Sequence, residues 1–190
     1  MAKRLIFIIL VIFSAIRISA QITTYGFVDG KVSNKVTGAP LSGVNVEVKK
    51  NGASFITKAS GGNGKFKLEL DIDAKYTVVF TQSGFITRYI EIDLTNIPAE
   101  YRYDKGRDIP LDMTLVENPK NPDPATNSIL STLQNLPTAA MKFDKKMEDV
   151  NWDFKVTDRY MEELNKLLAK IEADKKKNEE LEKKFNELVA

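Results

Sequence analysis

Between residues 25 and 92 apolar and polar side chains alternate in short runs, and glycine-rich turns separate the runs. A period of two puts every second side chain on one face of a strand, the mark of a half-buried antiparallel sheet. Val44, Val46 and Val48 share one face, as do Phe66, Leu68 and Leu70, and Tyr76, Val78 and Phe80. Seven strands are predicted, near 25–32, 44–50, 54–60, 65–70, 76–81, 85–93 and 109–116. Asn51-Gly52 and Asn63-Gly64 are predicted as type I′ hairpin turns, and Gly84 as a reversal at positive φ. The expected fold is mainly β: a seven-stranded antiparallel β-sandwich over 21–117, with Phe66 and Val78 in its core.

Beyond it, residues 117–128 are rich in Pro and Asn, and Pro119, Pro122 and Pro124 exclude a helix interior or a central strand. A linker with a short amphipathic piece is predicted over 118–137. Residues 138–157 mix Phe143, Met147, Trp152 and Phe154 with charge, and both a short helix and a compact hairpin fit them. From residue 158 to 190 the chain reads as a helix. Tyr160, Leu164, Leu167 and Ile171 step by three and four, and the register runs on through Asp174 and Asn178 to Leu181, Phe185 and Leu188. That is a heptad seam over about four heptads with a polar break in its middle. Three readings fit it: a helix lying loosely on the sandwich, a self-associating coiled coil, and a helix docking on a larger partner. Leu164, Leu167, Ile171, Leu181, Phe185 and Leu188 are the candidate partner-binding residues.

The first twenty residues read as a secretory signal. Lys3 and Arg4 precede an apolar run at 5–16, and Ser19-Ala20 stands before Gln21. Cleavage after Ala20 is predicted, since the run is short of the ~20 residues that span a bilayer. Arg17 is unusual in a cleaved signal and keeps an uncleaved anchor as the alternative. Without this segment 25 basic and 26 acidic residues remain, so no global field attracts nucleic acid or an anionic membrane. The chain has no Cys and no His, which removes the common zinc, copper and iron ligand sets and the Ser–His and Cys–His catalytic pairs.

Residues 30–48, GKVSNKVTGAPLSGVNVEV, resemble the start of a carboxypeptidase regulatory-like domain. Gly30, Val32, Thr37, Gly38, Pro40, Leu41, Gly43 and Val44 carry the likeness, followed by Thr57, Gly64-Lys65-Phe66, Tyr76, Phe80 and Gly84-Phe85. The acid that the family often carries in the 59–66 turn is absent here. The resemblance covers about half the chain. It implies a transthyretin-like or Ig-like sandwich in an exported protein of the Bacteroidetes envelope, periplasmic or at the inner face of the outer membrane. It implies a non-enzymatic docking module without cofactor, with protein partners in a secretion, gliding or outer-membrane transport complex.

Other chemistry finds less support. Asp71 and Asp73, with Asp104 and Asp108, supply oxygen ligands but no known calcium-loop spacing. Glu47, Glu69 and Glu91 alternate with core positions and are expected to face water. A carbohydrate- or peptidoglycan-binding module is the alternative function, and Tyr89, Tyr101 and Tyr103 are the aromatics it would use. Tyr101, Tyr103, Phe143, Trp152, Phe154 and Tyr160 either staple the C-terminal segment to the sandwich or meet a partner.

Overall fold

The computed structural model describes residues 24–102 and 107–189. The predicted signal and its cleavage point lie outside the described residues, as do Tyr103 and Asp104. Among the described residues no helix is long and apolar enough to cross a membrane.

All seven predicted strands form: β1 (Thr24–Asn34), β2 (Asn45–Lys50), β3 (Ala53–Ala59), β4 (Lys65–Asp71), β5 (Lys75–Thr81), β6 (Arg88–Asp93) and β7 (Arg107–Leu115). Two more strands, β8 (Ala139–Asp144) and β9 (Asp149–Trp152), correct the expected count of seven. One sheet has the order β4-β1-β7 and the other β3-β2-β5-β6-β8-β9. The pairing is not wholly antiparallel as expected: β1 runs parallel to β7, and β6 parallel to β8.

The alternation decides which faces meet. Val46, Val48, Phe66, Leu68, Leu70, Val78 and Phe80 are buried between the sheets, and β1 and β7 add Val28, Val32, Ile109, Leu111 and Leu115. Phe66 meets Phe80 edge-on at 5.4 Å between ring centres. Gly30 makes room for it, because a Cβ there would come within 2.8 Å of the Phe66 ring. Glu69 and Glu91 are exposed and Glu47 is half-buried.

Asn51 (φ 50°) and Gly52 (φ 84°) both take the left-handed conformation that a type I′ turn needs. At the second predicted turn only Gly64 does so, with φ 77°. Asn63 instead accepts the Lys65 N–H with its side chain at 3.1 Å, so this turn is not type I′.

Residues 118–137 are more than a linker. Asp123 caps α1 (Pro124–Gln134) by accepting the Thr126 N–H at 2.7 Å. Pro124 falls in the first helical turn, where its missing N–H costs nothing. The chain then returns to the larger sheet, and the segment left open between helix and hairpin is the β8–β9 hairpin. The final helix, α2 (Phe154–Val189), starts four residues before the predicted 158.

Candidate interaction surface on the C-terminal helix

Residues 154–189 are rich in Glu, Lys and Leu, which favour helix. Asp153 precedes the first turn, where its backbone oxygen accepts the Val156 N–H at 3.1 Å. Its carboxylate pairs with Lys142 of β8 at 2.9 Å, which ties the helix start to the sheet. Lys142 holds that carboxyl below the usual range, chiefly through this hydrogen bond.

The heptad seam is continuous in sequence but not in environment. Tyr160, Leu164 and Leu167 are buried at 2%, 1% and 0% exposure. With Ile86, Val116 and Leu133 they form a second apolar core, flanked by Ile129, Leu130, Leu136 and Ile171. Leu181, Phe185 and Leu188 are 54%, 65% and 86% exposed. Every residue from 172 to 189 is exposed. The prediction that all six stripe residues meet a partner is therefore corrected. Leu164 and Leu167 are covered by α1 and the sandwich, Ile171 is half-covered, and Leu181, Phe185 and Leu188 are open. The helix does not hang from a linker either, because its first half is part of the folded body.

A buried cation fastens the two units. Arg88 follows the same alternation as Ile90 and Ile92 and so points inward, with 5% exposure. Its Nε donates to Thr138 Oγ1 at 3.1 Å, and its Nη1 donates to the Thr114 carbonyl and to Thr114 Oγ1, the latter at 3.2 Å. The guanidinium lies 4.5 Å from the centre of the Tyr160 ring, a cation–π contact in a desolvated place. Burial pulls the guanidinium below its ordinary value and pushes the Tyr160 hydroxyl above its own. Sequence reasoning passed over Arg88. The signal was its parity with Ile90 and Ile92, which put a charge on a core face.

Lys170 adds a second tie by reaching Asp123, the cap of α1, at 2.8 Å. The hydrogen bond from Lys170, with that from the Thr126 N–H, holds the Asp123 carboxyl far below the carboxylate range. The same bond raises Lys170.

Four of the remaining sequence candidates, Asp71, Asp73, Tyr89 and Tyr101, are engaged within the chain. Asp71 pairs with Lys50, and Asp73 with Arg102 at 2.9 Å. Among the described residues no acidic group is arranged to hold a metal ion. The Tyr89 hydroxyl donates to the Asn135 carbonyl at 3.2 Å, and Tyr101 stacks at a tilt on Phe143, 5.4 Å between ring centres. Trp152 is half-buried and Phe154 is 68% exposed. The aromatic set thus mostly staples the C-terminal segment to the sandwich.

Residues 28–105 match the family model of the CarboxypepD_reg-like domain, so this part of the chain is such a domain. The match runs from within β1 through β6 and stops before β7. No curated protein matches the chain. Among solved structures, the Bacillus anthracis TIE protein is 14% identical with a TM-score of 0.39, over 48% of this chain and 17% of that one. The major pilin SpaD of Corynebacterium diphtheriae is 13% identical with a TM-score of 0.38, over 52% and 32%. The 5-hydroxyisourate hydrolase of Klebsiella pneumoniae is 12% identical with a TM-score of 0.36, over 50% and 92%. The chain thus spans less than two thirds of the length of the first two.

Proposed function

We propose that the CarboxypepD_reg-like sandwich is the rigid mount of an exported, non-enzymatic envelope protein, and that the distal half of α2 is the segment by which it assembles with another chain. The observation that carries this is the open stripe of Leu181, Phe185 and Leu188 on a helix whose base is locked into the protein core. The last eighteen residues of α2 are all exposed, so this half of the helix lacks the tertiary packing from which most helix stability in proteins comes. Covering the stripe with a second helix stabilises it.

The charges beside the seam favour a second copy in parallel register. Lys177 and Glu182 flank the seam at positions that meet across a parallel pair, with opposite sign. Lys170 and Lys175 stand in the same relation with like sign, but Lys170 is already held by Asp123 and by Asp174 at 3.4 Å. The polar break at Asp174 and Asn178 keeps the pairing weak.

Sedimentation of the full chain and of the Leu181→Glu/Phe185→Glu double variant tests the reading. The wild type is expected to associate with rising concentration. The double variant is expected to stay monomeric with its sandwich folded. Identical monomeric behaviour, with unchanged capture of partners from envelope extracts, refutes the assembly role.

A further inference from the structure

Between the edge of β7 and the β8–β9 hairpin lie two cavities of about 300 and 270 Å³ that share Pro110 and Trp152. The first holds the Arg107–Asp149 ion pair in its wall. The second has Arg88 in its wall. We infer that this second cavity is a binding site for the carboxylate of a small ligand with an apolar body.

Charge is the first reason. Among the described residues no carboxylate pairs with Arg88, and a buried cation without a counter-ion is costly. The three threonine contacts are neutral and leave the positive charge unbalanced. Geometry is the second reason. Nε and Nη1 are engaged by Thr138 and Thr114, while Nη2 has no hydrogen-bond partner among the described residues. The hydrogen bonds to Thr138 and Thr114, with the Tyr160 ring centre 4.5 Å from the guanidinium, hold the group in place, so Nη2 is preorganised. Composition is the third. Ile90, Leu111 and Met113 make the wall apolar, and Thr157 adds a hydroxyl. A site with one fixed charged donor in an apolar wall orients a ligand by its charged end and holds the rest by burial.

The same features select a carboxylate over phosphate. One free guanidinium nitrogen matches one oxygen of a singly charged group. Asp112 also lines the cavity, where it is exposed and accepts the Lys31 backbone N–H at 3.2 Å. A second negative charge on the ligand would be repelled there. A peptide C-terminus and a short fatty acid both present the required chemistry.

The chain has one tryptophan, Trp152, and it lies in the cavity wall, so its fluorescence reports occupancy. The full chain is titrated at neutral pH with N-acetyl-leucine, hexanoate, N-acetyl-leucinamide and inorganic phosphate. N-acetyl-leucine or hexanoate is expected to saturate the signal, and whichever binds more tightly identifies a peptide terminus or a free acid as the source. The amide is expected to bind at least about tenfold more weakly than the acid, the scale of one charge-assisted hydrogen bond. Arg88→Lys is expected to lose about the same factor. Because that variant touches a packed site, Asp112→Asn is measured beside it. Asp112 is exposed, and its neutralisation is expected to tighten the acid several-fold. Equal binding of acid and amide, phosphate binding as tightly as N-acetyl-leucine, or no saturable response to either acid at millimolar concentration overturns the inference.

Discussion

Leu167→Ala measures whether α2 belongs to the folded body. Leu167 is fully enclosed in the second core, at 0% exposure. The substitution deletes three carbons. At about 0.8 kcal/mol per buried methylene the transfer loss alone is roughly 2.4 kcal/mol. The cavity left behind adds to it, and enclosed Leu→Ala changes fall at about 2–5 kcal/mol. About 3 kcal/mol is expected. Leu181→Ala is the internal control. It is the same residue type two heptads further along the same seam, yet 54% exposed, and it should stay within about 0.5 kcal/mol. Urea unfolding of the full chain is followed by helical circular dichroism and by Trp152 fluorescence. With a slope of about 2 kcal/mol per molar urea, Leu167→Ala should lower the midpoint by about 1.5 M with both probes moving together. A midpoint within a few tenths molar of wild type refutes the argument. So does loss of the helical signal in a separate early transition that leaves Trp152 unchanged, because α2 would then be an appendage on an independent sandwich.

Three further outcomes are expected. Phe66→Ala should cost about 3–5 kcal/mol through loss of its contact with Phe80, and Gly64→Val should abolish stable folding, since a Cβ there meets the Val32 carbonyl oxygen at 2.3 Å at a φ of 77°; urea melts check both, and a wild-type midpoint for either removes its residue from the core. Asp123→Asn should lower the melting temperature by a constant amount between roughly pH 5 and pH 9 and by less at both extremes. The depressed Asp123 value gives stability that is full above the ordinary 3.8 and is lost as pH falls through the folded value. The raised Lys170 value gives stability that is full below the ordinary 10.5 and is lost as pH climbs through the folded value. A difference that stays constant down to strongly acid pH would mean that the Asp123–Lys170 contact does not form in solution.

The β1–β7 strands were readable because each buries one face, and burial writes itself into the chain as alternation. Ala139, Met141 and Phe143, then Val150 and Trp152, alternate too, on either side of a charged turn, but the runs are too short to exclude a helix. What no local pattern contains is the pairing of Ile90 with Ala139, a parallel register between strands separated by β7 and α1. The same limit applies to the candidate surface. A heptad repeat says that one face of a helix is apolar; it does not say what covers that face. Leu167 and Leu181 look alike in sequence, and only the position of α1, Ile86 and Val116 separates a core residue from an open one. Arg88 failed for the opposite reason. Its parity was plain, but a charge among core positions is ordinarily a strand end turning to water.

The parallel β6–β8 pairing also sets a schedule for the ribosome. β6 is complete at Asp93, but the strand that covers its outer edge begins at Ala139, nearly fifty residues later. At about 5–20 residues per second, roughly two to ten seconds pass before that edge has its partner. Throughout that interval the nascent chain presents a row of unmatched N–H and C=O groups, the template on which strands of neighbouring chains join. For this protein the order of synthesis and the order of assembly are out of step, so it gains from being kept extended until its last third has been made.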